Sequence, residues 1–290
     1  MLAAEQSGSM DGKVCLVTGA TGGIGFVTAL ELARKGARVI GVGRSPERCA
    51  QAARLIHEQS GLEAPSYLIA DLSSQAEVRR LAGEVKNLTS RLDVLVNNAG
   101  GLFLSRQETG DGLEMTFALN HMAYFLLTNL LLDLAKATTA ARIVSVSSEA
   151  HQSGTIQFDD LQARSNYSFW RAYRQSKLAN ILFTRELARR LEGTGVTANC
   201  LHPGYVNTQI FEVEGVRGWL LRRLADAMAI PPERGAETSI YLATSPEVQH
   251  TTGLYFVSKR PAATSPAARD DAVARRLWHE SAALCCLEVA

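Results

Sequence analysis

The feature that most restricts the fold is a rhythm of short, wholly apolar runs, each followed by a longer segment of helical character. KVCLVT (13–18) leads into IGFVTALELARKG (24–36). ARVIGVG (37–43) leads into a helix entered through Ser45 and Pro46, an N-cap followed by proline at the first helical position. SYLIADL (66–72) precedes a helix capped by Ser73–Ser74, and LDVLVNN (92–98) precedes a long helix expected from about Gly110 to Ala137. ARIVSVSS (141–148) precedes another running to about Glu192, and VTANCLHP (196–203) and GLYFVS (253–258) complete the series. Strands that are apolar throughout, rather than in alternation, are buried on both faces, and a helix between successive strands makes them parallel. The pattern predicts an α/β fold, a doubly wound parallel sheet of about seven strands with helices on both faces. No Pro/Gly-rich linker interrupts it, so residues 13–290 read as one domain behind a flexible arm at 1–12.

Composition removes several function classes. Thirty basic groups against twenty-nine acidic ones leave a net charge of +1, which gives no global pull toward nucleic acid or an anionic membrane. Five cysteines (Cys15, Cys49, Cys200, Cys285, Cys286) make neither a disulfide framework nor a zinc-ligand pattern, and reduced thiols suit the cytoplasm. The segment MLAAEQSGSMDGK lacks the apolar run of a signal peptide, and the longest greasy stretch, Met122 to Leu134, is broken by Thr128, Asn129 and Asp133. A cytoplasmic chain with no transmembrane segment and no metal is the expectation.

Between the first strand and the first helix lies Thr18-Gly19-Ala20-Thr21-Gly22-Gly23-Ile24-Gly25. A glycine-rich turn here can present backbone amides and the positive helix end to a pyrophosphate, although a purely structural tight turn uses the same residues. Gly19 would permit the turn, Gly23 the approach of a diphosphate, and Gly25 the close packing of helix on strand.

This loop resembles the T-G-x-x-x-G-I-G element of the short-chain dehydrogenase/reductase superfamily, and further motifs follow in the order that resemblance requires. Asp71-Leu72 follows the third strand, Asn97-Asn98-Ala99-Gly100 ends the fourth, and Asn120 lies in the next helix. Ser147-Ser148 ends the fifth strand, Tyr173-Arg174-Gln175-Ser176-Lys177 is a Y-x-x-x-K element, and Pro203-Gly204 follows the sixth strand. The likeness spans residues 13 to about 285 and implies a Rossmann-type catalytic domain that binds a nicotinamide cofactor. The cofactor-binding residues it implies are Gly19, Thr21, Gly23, Ile24, Gly25, Arg44, Asp71, Leu72, Asn98, Ala99, Gly100, Tyr173, Lys177, Pro203, Gly204, Val206 and Thr208.

On a helix, Tyr173 and Lys177 stand one turn apart on the same face, so the ammonium is expected to draw the phenol's pKa toward neutrality. The resemblance implies that Tyr173 is the general acid/base and that Lys177 also fixes the nicotinamide ribose. Ser148 would hydrogen-bond the substrate oxygen, with Ser147 as the other candidate, and Asn120 would hold a water linking Lys177 to solvent. His121, His151 and His202 neighbour these motifs without metal-ligand spacing. His151 is a candidate for lining the substrate mouth, His202 for strand-end packing.

The second strand ends at Gly43-Arg44 with no acid until Glu47, so nothing is placed to bind a ribose 2′-hydroxyl, whereas a guanidinium suits a 2′-phosphate. NADP(H) is therefore expected over NAD(H), although Thr21-Gly22 stands where many NADP-selective relatives carry a basic residue. Phe169-Trp170-Arg171-Ala172, Ser176-Lys177-Leu178-Ala179-Asn180, His202-Pro203-Gly204 and Arg275-Arg276-Leu277-Trp278 look like the retinol dehydrogenase-like branch. That branch implies a lipophilic alcohol, aldehyde or ketone as substrate. Residues 205–230 place Val216, Trp219, Leu220, Leu221, Leu224 and Met228 at helical spacing opposite Arg217, Arg222 and Arg223. They read equally as a packed helix or as a substrate lid touching a membrane surface. Self-association through the helices at 110–137 and 167–192 follows from the family, in which monomers also occur. The competing readings are a non-catalytic NADP(H)-binding sensor or scaffold, a carbonyl reductase on small polar substrates, and an epimerase of sugar nucleotides.

Overall fold

The computed structural model describes residues 10–204 and 230–288. Strands β1 (Val14–Thr18), β2 (Arg38–Gly43) and β3 (Ser66–Ile69) alternate with helices α1 (Gly23–Arg34), α2 (Pro46–Ser60) and α3 (Gln75–Leu88). β4 (Val94–Asn97) leads to α4 (Met115–Lys136), β5 (Arg142–Val146) to α5 (Phe169–Arg190), and β6 (Thr197–His202) is followed by α6 (Pro232–Thr244). β7 (Tyr255–Val257), a two-residue β8 (Arg260–Pro261) and α7 (Asp271–Leu284) close the chain. The sheet order is β3-β2-β1-β4-β5-β6-β7-β8, parallel except for β8, so the chain reverses its direction of winding between β1 and β4. A crevice at the carboxyl ends of the strands opens at such a reversal. β8 is too short for any sequence period to reveal, and it adds an eighth strand to the expected seven.

Continuous apolarity has the cause the sequence suggested. Leu16, Ile40, Val42, Leu95 and Ile143 point into a core shared with α3, α4, α5 and α7. Cys15, Val17, Val39, Val94, Val96 and Val144 point into a second core against α1 and α6. Both faces of every central strand are thereby removed from water, at roughly 25 cal/mol per Å² of apolar surface. α4 is long and apolar enough to cross a membrane by length and composition, yet 72% of that stretch is buried within the fold.

Local chemistry sets most boundaries as expected. Ser45 Oγ accepts the Arg48 N–H at the start of α2, and Gly61 ends that helix in the left-handed conformation. Ser74 caps α3. Two boundaries differ. α4 starts at Met115 rather than near Gly110, because the buried Glu114 carboxylate accepts the Thr116 and Phe117 N–H groups and Gly112 has a φ of +75°. Within α4, residues Ala118–Met122 form a π turn. α5 begins at Phe169, within two residues of the expected 167, after short 3₁₀ turns at Glu149–Ser153 and Phe158–Asp160. At the other end, Met10 is buried and its N–H donates to the Lys35 carbonyl, so the expected arm is already docked by that residue.

α7 packs along α5, with Trp278 stacked on Phe183 at 5.8 Å and edge-on to Phe125 of α4 at 4.9 Å.

Candidate active site

At the carboxyl ends of β1 and β4, one hydroxyl organises the crevice. Thr18 Oγ1 donates to the Val96 carbonyl and accepts the N–H groups of Asn98 (2.9 Å) and Ala99 (3.1 Å). Asn98 Nδ2 donates back to the Thr18 carbonyl at 2.8 Å. Gly19 then turns with a φ of +67°. A Cβ on Gly25 would lie 2.2 Å from the Gly19 carbonyl oxygen and 2.4 Å from Asn98 Nδ2, so only glycine lets α1 approach the strand end this closely. The Tyr67 hydroxyl donates to the Ala20 carbonyl and holds the loop from the other side.

A cavity of about 770 Å³ runs from this loop across the sheet. Gly19, Thr21, Gly23, Ile24 and Gly25 line it, with Arg44 at one end and Asp71 and Leu72 beside it. Asn98, Ala99 and Gly100 form its middle, and Ser148, Tyr173, Lys177, Pro203 and Gly204 its far end. Every sequence-selected site residue within the described chain lines this cavity except Asn120 and the mouth candidate His151; Val206, Thr208 and the 205–229 part of the expected lid lie outside the described residues.

Asn120 is fully buried one layer behind the cavity wall. Its Oδ1 accepts the Gly101 N–H at 2.8 Å, and its Nδ2 donates to the Gly101 carbonyl and to Ser176 Oγ, both at 3.0 Å. Both amide protons are committed, so the side chain ties the 98–101 loop to α5. The π turn in α4 carries Asn120.

The two serines separate by direction. Ser147 Oγ donates to the Lys177 carbonyl at 2.7 Å and is buried. Ser148 Oγ accepts the Ala150 N–H at 3.2 Å. The hydroxyl keeps a second lone pair and its own proton, and it hydrogen-bonds the Tyr173 phenol. Lys177 Nζ donates to the Val146 carbonyl at 3.2 Å and stands 5.6 Å from the centre of the Tyr173 ring. Burial pushes the Tyr173 phenol above its ordinary pKa, while hydrogen bonding to Ser148 pulls it back. Burial also lowers the Lys177 ammonium to about 8. Desolvation therefore outweighs the lowering expected from the neighbouring ammonium.

Sequence reasoning missed Arg48. Its Nη2 would lie 3.2 Å from a Cβ on Gly22, so its guanidinium sits over the glycine loop, and it lines the cavity with Arg44 and Ser45. Arg48, in the first turn of α2, thus brings a basic group beside Gly22, and the Arg44-x-x-x-Arg48 spacing at a helix start was the available signal. Also missed was the apolar wall of Leu102, Phe103, Met115 and Leu119. Among the histidines, His202 lines the cavity, with Nε2 3.8 Å from Glu149 Oε2. His121 is buried against Ser281, at 3.0 Å, in a cage of aromatic rings, and burial lowers it to about 4. His151, expected at the mouth, is fully buried instead.

Residues 13–215 match the family model of the short chain dehydrogenases. The chain belongs to the short-chain dehydrogenase family. This short-chain dehydrogenase is an oxidoreductase similar to human retinol dehydrogenase 13, 42% identical over 299 residues that cover 99% of this chain and 88% of the relative. A solved structure from Mycobacterium paratuberculosis superposes with a TM-score of 0.79 at 35% identity, covering 99% of this chain and 98% of that one. A short chain dehydrogenase from Escherichia coli CFT073, solved in complex with NADPH, matches with a TM-score of 0.66 at 26% identity, covering 87% of this chain and 99% of that one.

Proposed function

We propose that this short-chain dehydrogenase is an NADP(H)-dependent enzyme that transfers hydride between the nicotinamide and a lipophilic alcohol, aldehyde or ketone, with Tyr173 as general acid/base. The observation that carries the reading is the convergence of Ser148, Tyr173 and Lys177 at one end of a cavity whose other end holds Arg44 and Arg48. The residues fit the cofactor: Gly25 leaves a cradle that a Cβ would fill, and two guanidiniums beyond β2 suit a 2′-phosphate, the lining carboxylate Asp71 standing beyond β3 instead. Bound there, the nicotinamide supplies or accepts the hydride.

The chain's own part is proton and charge management. Ser148 directs its hydroxyl to the substrate oxygen and stabilises charge that develops on it. Tyr173 passes the proton between that oxygen and the site, and the nearby Lys177 ammonium favours the phenolate when a proton leaves. Asn120 keeps the loop and α5 in register. The wall of Leu102, Phe103, Met115 and Leu119 supports a lipophilic rather than a small polar or sugar-nucleotide substrate. Five free thiols, four of them buried, fit a cytoplasmic setting. The domain as a whole, 13–290, acts as one catalytic unit in this reading.

The test is turnover of a panel of retinoid, aliphatic and polar alcohols, aldehydes and ketones with NADPH/NADP and NADH/NAD. Turnover of the apolar members with the phosphorylated cofactor is expected. A chain that binds NADPH but turns over nothing is the sensor of the alternative reading, and a preference for polar members overturns the lipophilic assignment.

A further inference from the structure

Ser148 is held more firmly than a strand-end serine needs to be. It caps the 3₁₀ turn Glu149–Ser153: its Oγ accepts the Ala150 N–H, and its carbonyl accepts the His151 N–H at 3.2 Å. The same carbonyl lies 2.8 Å from His151 Nδ1. A carbonyl can only accept, so Nδ1 carries the imidazole proton. On the opposite side of the ring, Nε2 faces the Ser265 N–H at 3.4 Å and must present its lone pair. The two partners together allow one tautomer, the neutral Nδ1–H form.

The ring is completely buried and packs edge-on against Tyr255 at 4.9 Å. Ser265 is itself buried and fixed, its Oγ accepting the Ala268 N–H. Behind His151, Gly154 packs so closely on α5 that a Cβ there would lie 2.7 Å from the Arg174 carbonyl oxygen, next to Tyr173. His151 thus stands between the segment leading into α7 and the turn that carries Ser148, and it joins them through both ring nitrogens.

We propose that His151 is a positioning residue for Ser148, a neutral imidazole that clamps the serine's main chain to the carboxyl-terminal segment and so fixes where the Ser148 hydroxyl points. The inference rests on the reading of Ser148 as the serine that meets the substrate oxygen. The clamp aims Ser148 at the substrate and leaves the cofactor end untouched, so its removal lowers kcat and spares cofactor binding.

Two measurements test it. In the unaltered protein, ¹⁵N–¹H NMR of the histidine side chains is expected to show His151 as Nδ1–H; an Nε2–H imidazole overturns the clamp. In kinetics, His151→Phe keeps the ring shape without either hydrogen bond, and kcat is expected to fall about 10- to 100-fold. The Kd for NADPH should stay within about threefold, as expected when the clamp acts on Ser148 alone. His151→Asn, which keeps a donor near the Nδ1 position but gives up the Ser265 side, is expected to show a kcat between those of the unaltered enzyme and His151→Phe. An unchanged kcat in His151→Phe, or an equal loss in His151→Asn, overturns the proposal. If His151→Phe does not fold, the tautomer and the His151→Asn kinetics decide. Failure of the unaltered enzyme to turn over any substrate counts against the oxidoreductase reading, while the tautomer, which needs no turnover, still judges the clamp.

Discussion

At the phosphate-loop end of the cavity the chain presents mainly backbone, with Gly19 to Gly25 brought against Asn98 by the hydrogen bonds around Thr18. At the other end, Ser148, Tyr173 and Lys177 are side chains from a strand terminus and a helix, positioned by buried polar contacts such as Ser147 Oγ to the Lys177 carbonyl. The first end is satisfied by geometry alone. The second keeps ionisable groups out of water, so their pKa values move. In the proposed reading one end recognises the cofactor and the other reacts, and substitutions should divide along that line.

Tyr173→Phe should break only the reacting end. Loss of the phenolic proton is expected to lower kcat roughly 10²- to 10⁴-fold. A fluorescence titration with NADPH should give a Kd close to that of the unaltered enzyme. A kcat within a few-fold of the original would mean that the proton takes another route.

Gly25→Ala should break the recognising end. The new methyl meets two backbone atoms of Gly19 and the Asn98 amide, none of which is the tip of a flexible chain. Overpacking of this kind costs about 1–3 kcal/mol, so urea unfolding should shift accordingly, and NADPH affinity should fall by as much as about 100-fold. An unchanged Kd would show that the loop relaxes without loss. Arg44→Ala is milder: about 10- to 30-fold in NADPH affinity with NADH affinity unchanged, since only the 2′-phosphate loses a partner. Equal losses for both cofactors would remove the basis for NADP preference.

How much of this was legible in the sequence follows the same division. The glycine loop, the strand that feeds it and the one-turn spacing of Tyr173 and Lys177 are local, and local spacing survives folding. Arg48 escaped because its role depends on where α2 leans over Gly22, and a helical turn of sequence does not specify that tilt. His151 was placed at the mouth from its closeness to Ser148 in sequence, whereas a contact across 114 residues with Ser265 turns it inward. The start of α4 was misjudged because the buried cap Glu114 and the flanking glycines override the apolar period that follows. The side-chain bonds of Asn120 to Gly101 and Ser176 are made by the tertiary fold, so its place in the helix could not reveal them.

The comparison also carries a prediction about stability, and its sign can be worked out. Lys177 titrates near 8 in the folded chain against an ordinary value of 10.5 because its ammonium is desolvated. Below pH 8 the lysine is charged in both folded and unfolded chains, and burying that charge opposes folding by at most roughly 3 kcal/mol. Between pH 8 and 10.5 the unfolded chain holds the proton while the folded chain releases it, so stability rises with pH. Above that window the lysine is neutral in both states and the penalty is gone. Lys177→Met removes the charge but also the bond to the Val146 carbonyl, so a net gain of about 1–2 kcal/mol is expected at pH 7. Urea midpoints of the cofactor-free protein at pH 7 and near pH 10 check this: the advantage of Met should shrink at the higher pH, and Arg44→Ala should show no such trend. A Lys177→Met variant less stable than the original at pH 7 would mean that the Val146 bond outweighs desolvation, and the reacting end would then be no less stable than the recognising one.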